Sequence, residues 1–229
     1  MLPKVMLLNK LVESGVIAVI RRIPEDQIEL VAESLVEGGV TALEVTVDSP
    51  GAFTVISKLS KKMRGRALVG AGTVLDGESA RLAIQSGAEF IFSPSLHQEV
   101  VRTALRYGKI AVPGVMTPTE MITAIEWGAD LVKIFPAAGL GVQYIKDIKA
   151  PFPHIPVIPT GGINLENVAS FVQAGVAAVG IGGNLVDYQA IEESDFERIT
   201  QTAKQYVTSI QEARQIMKKS EPTIQVTIK

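Results

Sequence analysis

Two charged residues stand inside stretches that otherwise read as buried. Lys133 lies in Leu131-Val132-Lys133-Ile134-Phe135, and Glu44 lies in Leu43-Glu44-Val45-Thr46-Val47. A lysine is almost never fully buried without a partner, and burial of an amine disfavours its ammonium form. The neutral amine is the nucleophile that attacks a carbonyl to give a Schiff base. Position alone supports a second reading equally well, a lysine snorkelling from a rim or paired with a carboxylate. Glu44 is costly in a buried strand unless it is used or paired. It could move protons beside a Schiff-base lysine, or form an ion pair with Lys133 or Arg21, and the two roles are compatible.

Arg21 ends an apolar run and could hold a carboxylate through a bidentate contact, whereas Arg22 reads as solvated. Thr46 and Thr73 are strand-end hydroxyls able to bond the same carboxylate, although each alone fits a plain β-branched strand residue. Metal chemistry has little support, since there is no cysteine and His97 and His154 lack ligand spacing. His97 falls near a helix start, His154 in a surface loop, and Trp127 and the methionines read as core.

Strand-like, nearly continuous apolar runs recur at residues 16–20, 43–47, 68–72, 90–93, 110–113, 131–135, 156–160 and 178–181. Continuous apolarity is what a parallel strand shows when both faces are covered. Amphipathic helical stretches separate them, at 27–37, 51–61, 78–86, 98–106, 119–126, 142–149, 164–173 and 196–213. A phrase of helix end, glycine turn and buried strand recurs as EGGVTALEV, QSGAEFIFS, EWGADLVKI and QAGVAAVGI. Eight such units, with no polar edge strand, predict a single (β/α)8 TIM barrel rather than an open doubly wound sheet. Leu7, Leu8, Leu11 and Val12 predict a short N-terminal helix with one apolar face. Residues 1–214 read as the barrel domain and 215–229 as a C-terminal tail, in which the alternation over 223–229 would also suit an added edge strand.

Chemistry in such a barrel gathers at the C-terminal ends of its strands. Two glycine turns stand there, Thr160-Gly161-Gly162 and Gly182-Gly183-Asn184 after the seventh and eighth strands, where barrels often hold a phosphate on backbone N–H groups. The 229 residues suit one domain, and a net charge of −2 offers no attraction for nucleic acid or an anionic membrane. No segment approaches the ~20 apolar residues of a membrane span. Absence of cysteine excludes disulfides and thiolate chemistry and fits the cytoplasm.

The motifs IAVIR, EGGVTALEVT, VGAGTV, GAEFIFSPS, PGVMTPTE, VKIFPA, PFPHIPVIPTGGI and VGIGG, spread from Gly15 to Val186, resemble the 2-keto-3-deoxy-6-phosphogluconate (KDPG) and 4-hydroxy-2-oxoglutarate (KHG) aldolases, a class I family. The resemblance implies that Lys133 is the Schiff-base residue and Glu44 the proton-transfer residue. It implies a carboxylate site at Arg21 and Thr73, with Phe135 packing on the keto acid and Thr46, Pro94 and Thr160 lining the substrate. It assigns the phosphate to Gly161, Gly162, Gly182, Gly183 and Asn184. It further implies a homotrimer without metal or cofactor that acts on small-molecule 2-keto acids and splits KDPG into pyruvate and glyceraldehyde 3-phosphate. Phosphogalactonate-type and 4-hydroxy-2-oxoglutarate aldolases are the alternatives on the same scaffold.

Two positions depart from the family pattern. Many members carry arginine where this chain has Asp48, which leaves the carboxylate to Arg21, and many carry serine where it has Asn184. Rival classes are a phosphate-binding barrel isomerase without covalent catalysis and a silent scaffold. Retention of two buried charges weighs against the scaffold, since unused they lower stability.

Overall fold

This computed structural model of the chain describes residues 2–220. In chain order they form α1 (Pro3–Glu13), β1 (Val16–Ile20), α2 (Ile28–Glu37), β2 (Ala42–Thr46), α3 (Ala52–Lys62), β3 (Leu68–Gly72) and α4 (Gly77–Gln85). Then come β4 (Phe90–Phe92), α5 (Gln98–Arg106), β5 (Ile110–Val112), β6 (Gly114–Val115), α6 (Pro118–Glu126), β7 (Val132–Ile134) and α7 (Ala137–Lys149). The order ends with β8 (Val157–Pro159), α8 (Val168–Gln173), β9 (Val179–Ile181), α9 (Tyr188–Glu192) and α10 (Phe196–Ser220).

Every strand pair is parallel, as helical crossovers require. The ladders fall into a sheet ordered β5-β4-β3-β2-β1-β9 and a second ordered β6-β7-β8. Both turn one face to a common interior, because Ile17, Ala42, Leu68, Phe90, Ile110, Val112, Ile158 and Ala178 pack in one buried cluster. The opposite faces pack with the helices in a second, larger cluster. The result is an α/β fold with a curled parallel sheet. The expected single ring of eight strands thus holds in coarser form, with two ladders in place of one.

The break in the ladder has a chemical cause. The run expected at 110–113 forms β5 as far as Val112, and Pro113, which has no N–H to give a ladder, separates it from the additional β6. Its carbonyl still accepts from the Lys133 N–H at 2.9 Å. Between β8 and β9 the strands touch through a single bridge, Thr160 to Gly180, and an Ala177 N–H bond to the Val157 carbonyl at 3.0 Å.

Other differences from the sequence-based expectation lie in the helices. Helix α7 starts at Ala137 rather than 142 and is kinked at Gly141, whose φ of 76° is non-helical. The short α9, capped by Asp187, is additional. Helix α10 runs past Arg214 to Ser220, so the first part of the expected tail is helical. The edge strand considered for 223–229 lies outside the described residues.

Helix α1 closes the bottom of the interior. Pro3 opens the helix, where its missing N–H costs nothing, and Leu11 is fully buried with Leu7, Leu8 and Val12 packed beside it against the interior cluster. Arg214, from α10, donates to the Val12 and Glu13 carbonyls at 2.9 Å each and to the Ala177 carbonyl at 2.7 Å. A cation thereby satisfies the carbonyl end of α1. Leu11→Ala is expected to lower stability by ~2–5 kcal/mol, the range for emptying a packed leucine site. Leu30→Ala, at a half-exposed position of α2, is expected to cost well under ~1 kcal/mol. Urea unfolding of both variants checks this, and equal midpoints would show that α1 does not seal the interior.

Candidate active site

The period of two in a strand sorts the side chains of each run. In β2, Ala42, Glu44 and Thr46 share one face, and around β7, Leu131, Lys133 and Phe135 share another. Ala42 and Leu131 belong to the interior cluster, so Glu44 and Lys133 point into the same interior one layer higher. Glu44 is fully buried and Lys133 is 5% exposed. Lys133 Nζ stands 3.5 Å from Glu44 Oε1. Neither Glu44 oxygen has a hydrogen-bond partner among the described residues, so the contact is Coulombic rather than a formed hydrogen bond. The ammonium site also lies over two rings, 5.6 Å from the Phe92 centroid and 5.4 Å from that of Phe135.

The surroundings include glycines where neighbouring groups leave no room for a Cβ. A Cβ on Gly72 would fall 1.9 Å from Glu44 Oε1, and one on Gly114, the register partner of Lys133, would meet the Pro94 carbonyl oxygen at 2.4 Å. A Cβ on Gly180 would fall 2.3 Å from Thr160 Oγ1, itself buried and unpartnered. Three orphaned oxygens, two from Glu44 and one from Thr160, thus face a glycine-lined interior. Buried polar groups left unmade are expensive and call for a polar ligand, water or a reacting group.

The rim carries the rest. Arg21 follows β1 and continues the interior series of Ile17 and Val19, the latter in register with Glu44. Thr46 ends β2, Pro94 follows β4, and Phe135, 40% exposed, follows β7. Thr73, directly after β3, has φ 57°, an unusual conformation for a β-branched residue and one that clusters at functional sites. Gly161 and Gly162 have φ of 92° and 75°. The bridge to Gly180 draws on the Gly161 N–H, and no backbone bond among the described residues uses the N–H groups of Gly162, Gly182 or Gly183. Asn184 donates its side-chain amide to the Ile163 carbonyl at 2.7 Å, so it ties the two glycine turns together.

Arg21 does not pair with Glu44. It pairs with Asp48, through Nη2 at 2.9 Å and Nε at 3.1 Å to the same Oδ2. Arg22 is mostly exposed, with a long contact of 3.6 Å to the same oxygen. His97 precedes α5 without a side-chain capping bond and meets Ser95 Oγ at 2.8 Å, and His154 is exposed. Among the methionines Met63 and Met121 are buried, but Met6 and Met116 are exposed, against the expectation that all are core. Trp127 is partly buried against the core. Sequence reading overlooked Phe92, Gly72 and Gly114, although a period of two through 90–92 places Phe92 on the interior face.

The Gly72–Glu44 contact makes a double-mutant cycle informative. Gly72→Ala alone is expected to destabilise by ~1–3 kcal/mol, as for an overpacked core. In a Glu44→Ala background the same change is expected to cost much less, because the clashing carboxylate is gone. Urea unfolding of the four proteins measures the coupling, and additive effects would show that Glu44 does not occupy the space above Gly72.

With this geometry in view, the family model described as KDPG and KHG aldolase matches residues 7–202. The 2-dehydro-3-deoxy-6-phosphogalactonate aldolase of Escherichia coli K12 is 38% identical over 87% of this chain and 96% of its own length. A solved structure described as native KDPGal superposes with a TM-score of 0.82 at 36% identity, over 87% of this chain and 96% of that one. The KDPG aldolase of Legionella pneumophila, solved with pyruvate captured as a covalent carbinolamine, gives a TM-score of 0.81 at 31% identity, over 86% and 96% of the two chains. The chain belongs to the KDPG and KHG aldolase family and is an aldolase.

Proposed function

We propose that this aldolase works through a Schiff base on Lys133 and cleaves 2-keto-3-deoxy-6-phosphogluconate to pyruvate and glyceraldehyde 3-phosphate. The observation that carries the reading is the buried amine, 3.5 Å from a carboxylate with no other partner and held over two rings. The Lys133 amine adds to the C2 carbonyl, and loss of water from the carbinolamine leaves an iminium. Its positive nitrogen is the electron sink for the next step. Glu44, directly or through water, takes the proton of the C4 hydroxyl while the C3–C4 bond breaks, and its electrons flow into an enamine as the aldehyde leaves. Glu44 then returns the proton to C3, and water at C2 releases pyruvate and the free amine.

In this reading the substrate carboxylate lies on Arg21 and Thr73, the keto acid packs on Phe135, and Thr46, Pro94 and Thr160 line the remainder. The phosphate lies at Gly161, Gly162, Gly182 and Gly183, where the N–H groups of Gly162, Gly182 and Gly183 have no backbone partner among the described residues and suit an anion. Asn184 keeps one amide hydrogen for the same anion. The strands complete a (β/α)8 barrel over 1–214, supported by the run that continues across Pro113 and the Thr160–Gly180 bridge. The working unit is a homotrimer in the cytoplasm. A second reading, the phosphogalactonate epimer as substrate, is favoured by the 38% identity to the Escherichia coli phosphogalactonate aldolase.

Pyruvate with borohydride should add a reduced adduct to the peptide containing Lys133 and abolish turnover. Mass spectrometry that found the adduct on another lysine would overturn the mechanism. Comparing kcat/KM on the two C4 epimers, each with and without its phosphate, decides the substrate. Glu44→Gln should lower kcat by roughly 10²–10⁴-fold, the usual contribution of general acid–base catalysis. Near-full activity in a protein with a lowered Tm would make the Lys133–Glu44 pair structural instead.

A further inference from the structure

Asp48 stands where the chain departs from its family's usual residue, and its surroundings give it a task. Arg21 is half-exposed, yet it is fixed from three sides. Asp48 Oδ2 accepts from Arg21 Nε at 3.1 Å and Nη2 at 2.9 Å. The Tyr188 hydroxyl, from α9, donates to the Arg21 carbonyl. The next residue, Arg22, has φ 51° and gives its N–H to Ser49 Oγ at 2.8 Å, so the strand turns sharply just beyond Arg21. Ser49 in turn meets Thr46 Oγ1 at 3.0 Å and gives its N–H to the Thr46 carbonyl. The ends of β1 and β2 are thereby joined, and Asp48 is set opposite the guanidinium.

A guanidinium has five N–H donors in a planar fork. Asp48 takes up the edge formed by Nε and one hydrogen of Nη2, and leaves Nη1 with the outer hydrogen of Nη2. That free edge is the pair of parallel donors that grips a carboxylate in a bidentate manner. An exposed ion pair of this kind adds little to stability, so its consequence is orientation. Partial burial pushes the Asp48 carboxyl up, but the Thr46 hydroxyl and the Arg21 guanidinium outweigh that and hold it below its ordinary range. The carboxyl is therefore anionic at any working pH.

We propose that Asp48 is a positioning residue for the 2-keto acid, holding Arg21 so that its free Nη1–Nη2 edge faces the substrate carboxylate above Lys133. The inference rests on the reading that Arg21 binds that carboxylate.

The test measures the concentration of pyruvate that half-saturates borohydride trapping at Lys133, alongside pyruvamide, which keeps the ketone and lacks the charge. Asp48→Ala should raise the pyruvate value by about 10- to 100-fold, the scale of a misplaced binding group, and leave the pyruvamide value unchanged. Asp48→Asn, whose amide oxygen still accepts from Nε, should recover most of the loss. A fall in the pyruvate value with Asp48→Ala would show that the aspartate repels the substrate, and an equal rise for both compounds would show general damage. Either result overturns the proposal. Arg21→Ala separates the two levels: no effect on pyruvate removes the carboxylate reading of Arg21 and the Asp48 role with it. A rise for Arg21→Ala with no change for Asp48→Ala removes the Asp48 role alone.

Discussion

The structure is organised around a lysine and a glutamate placed inside a parallel sheet. Taking two ions out of water costs several kcal/mol each, and their attraction offsets this only with good geometry and further hydrogen bonds. At 3.5 Å, and with no hydrogen bond to either carboxylate oxygen among the described residues, the Lys133–Glu44 pair is far from that optimum. It is under-satisfied for a structural ion pair, and it is arranged as a reacting amine and base would be. Removing Glu44's last competitor for space is the task of Gly72, where any side chain would collide with the carboxylate. A glycine in a strand forfeits packing, so the sheet gives up cohesion at the same level at which it holds charge.

That deficit is offset below and outside. The lower interior layers are wholly apolar, with Phe90 and Phe92 packed edge to face at 5.3 Å and α1 sealing the open end. Outside, the sheet buries its other face against the ring of helices. The two clusters explain why the strands read as continuous apolar runs: one set of alternate residues packs inside, the other outside, and only the top layer of the inside set is polar. Stability and chemistry thus occupy different heights of the same strands, an arrangement in which local rules are broken only where function needs it.

The sequence made the strands and their two charged residues readable because a buried run tolerates almost nothing polar, and Lys133 and Glu44 stand out against it. Other features have no local signature. Pro113 lies within an apolar run, and its effect on the ladder is a missing donor rather than a change of pattern. Helix α9 has five residues, too few to show a period, and α10 continues past Arg214, which bonds to the end of α1, to Met217, which packs on the core, partners that proximity in the chain does not reveal. The demand for glycine comes from neighbouring side chains at 72 and 180 and from the Pro94 backbone at 114, so the residue type was visible while its reason was not. The choice between Lys133 and Arg21 as the partner of Glu44 stays open in the sequence for a related cause. Glu44 and Asp48 are both acidic residues near the end of the same strand, and only the strand register shows that Arg21 sits above Glu44, beside the turn that carries Asp48.

The same vertical division bears on what relatedness can carry. In the proposed mechanism the nucleophile and its nearby carboxylate are Lys133 and Glu44, and these sit in the interior, where packing on all sides fixes them. In the same proposed reading, the part of the substrate that differs between the candidate substrates, a hydroxyl of one hand or the other and a phosphate or none, extends upward to the strand ends. There the side chains rest on turns such as Asp48-Ser49 and Gly182-Gly183-Asn184, which accept substitution without disturbing the core. A chain can therefore share its chemistry with relatives at 31–38% identity and still differ from them in substrate through a few rim residues. On the proposed reading selectivity is a property of strand ends, and Asp48 and Asn184 both lie on that rim.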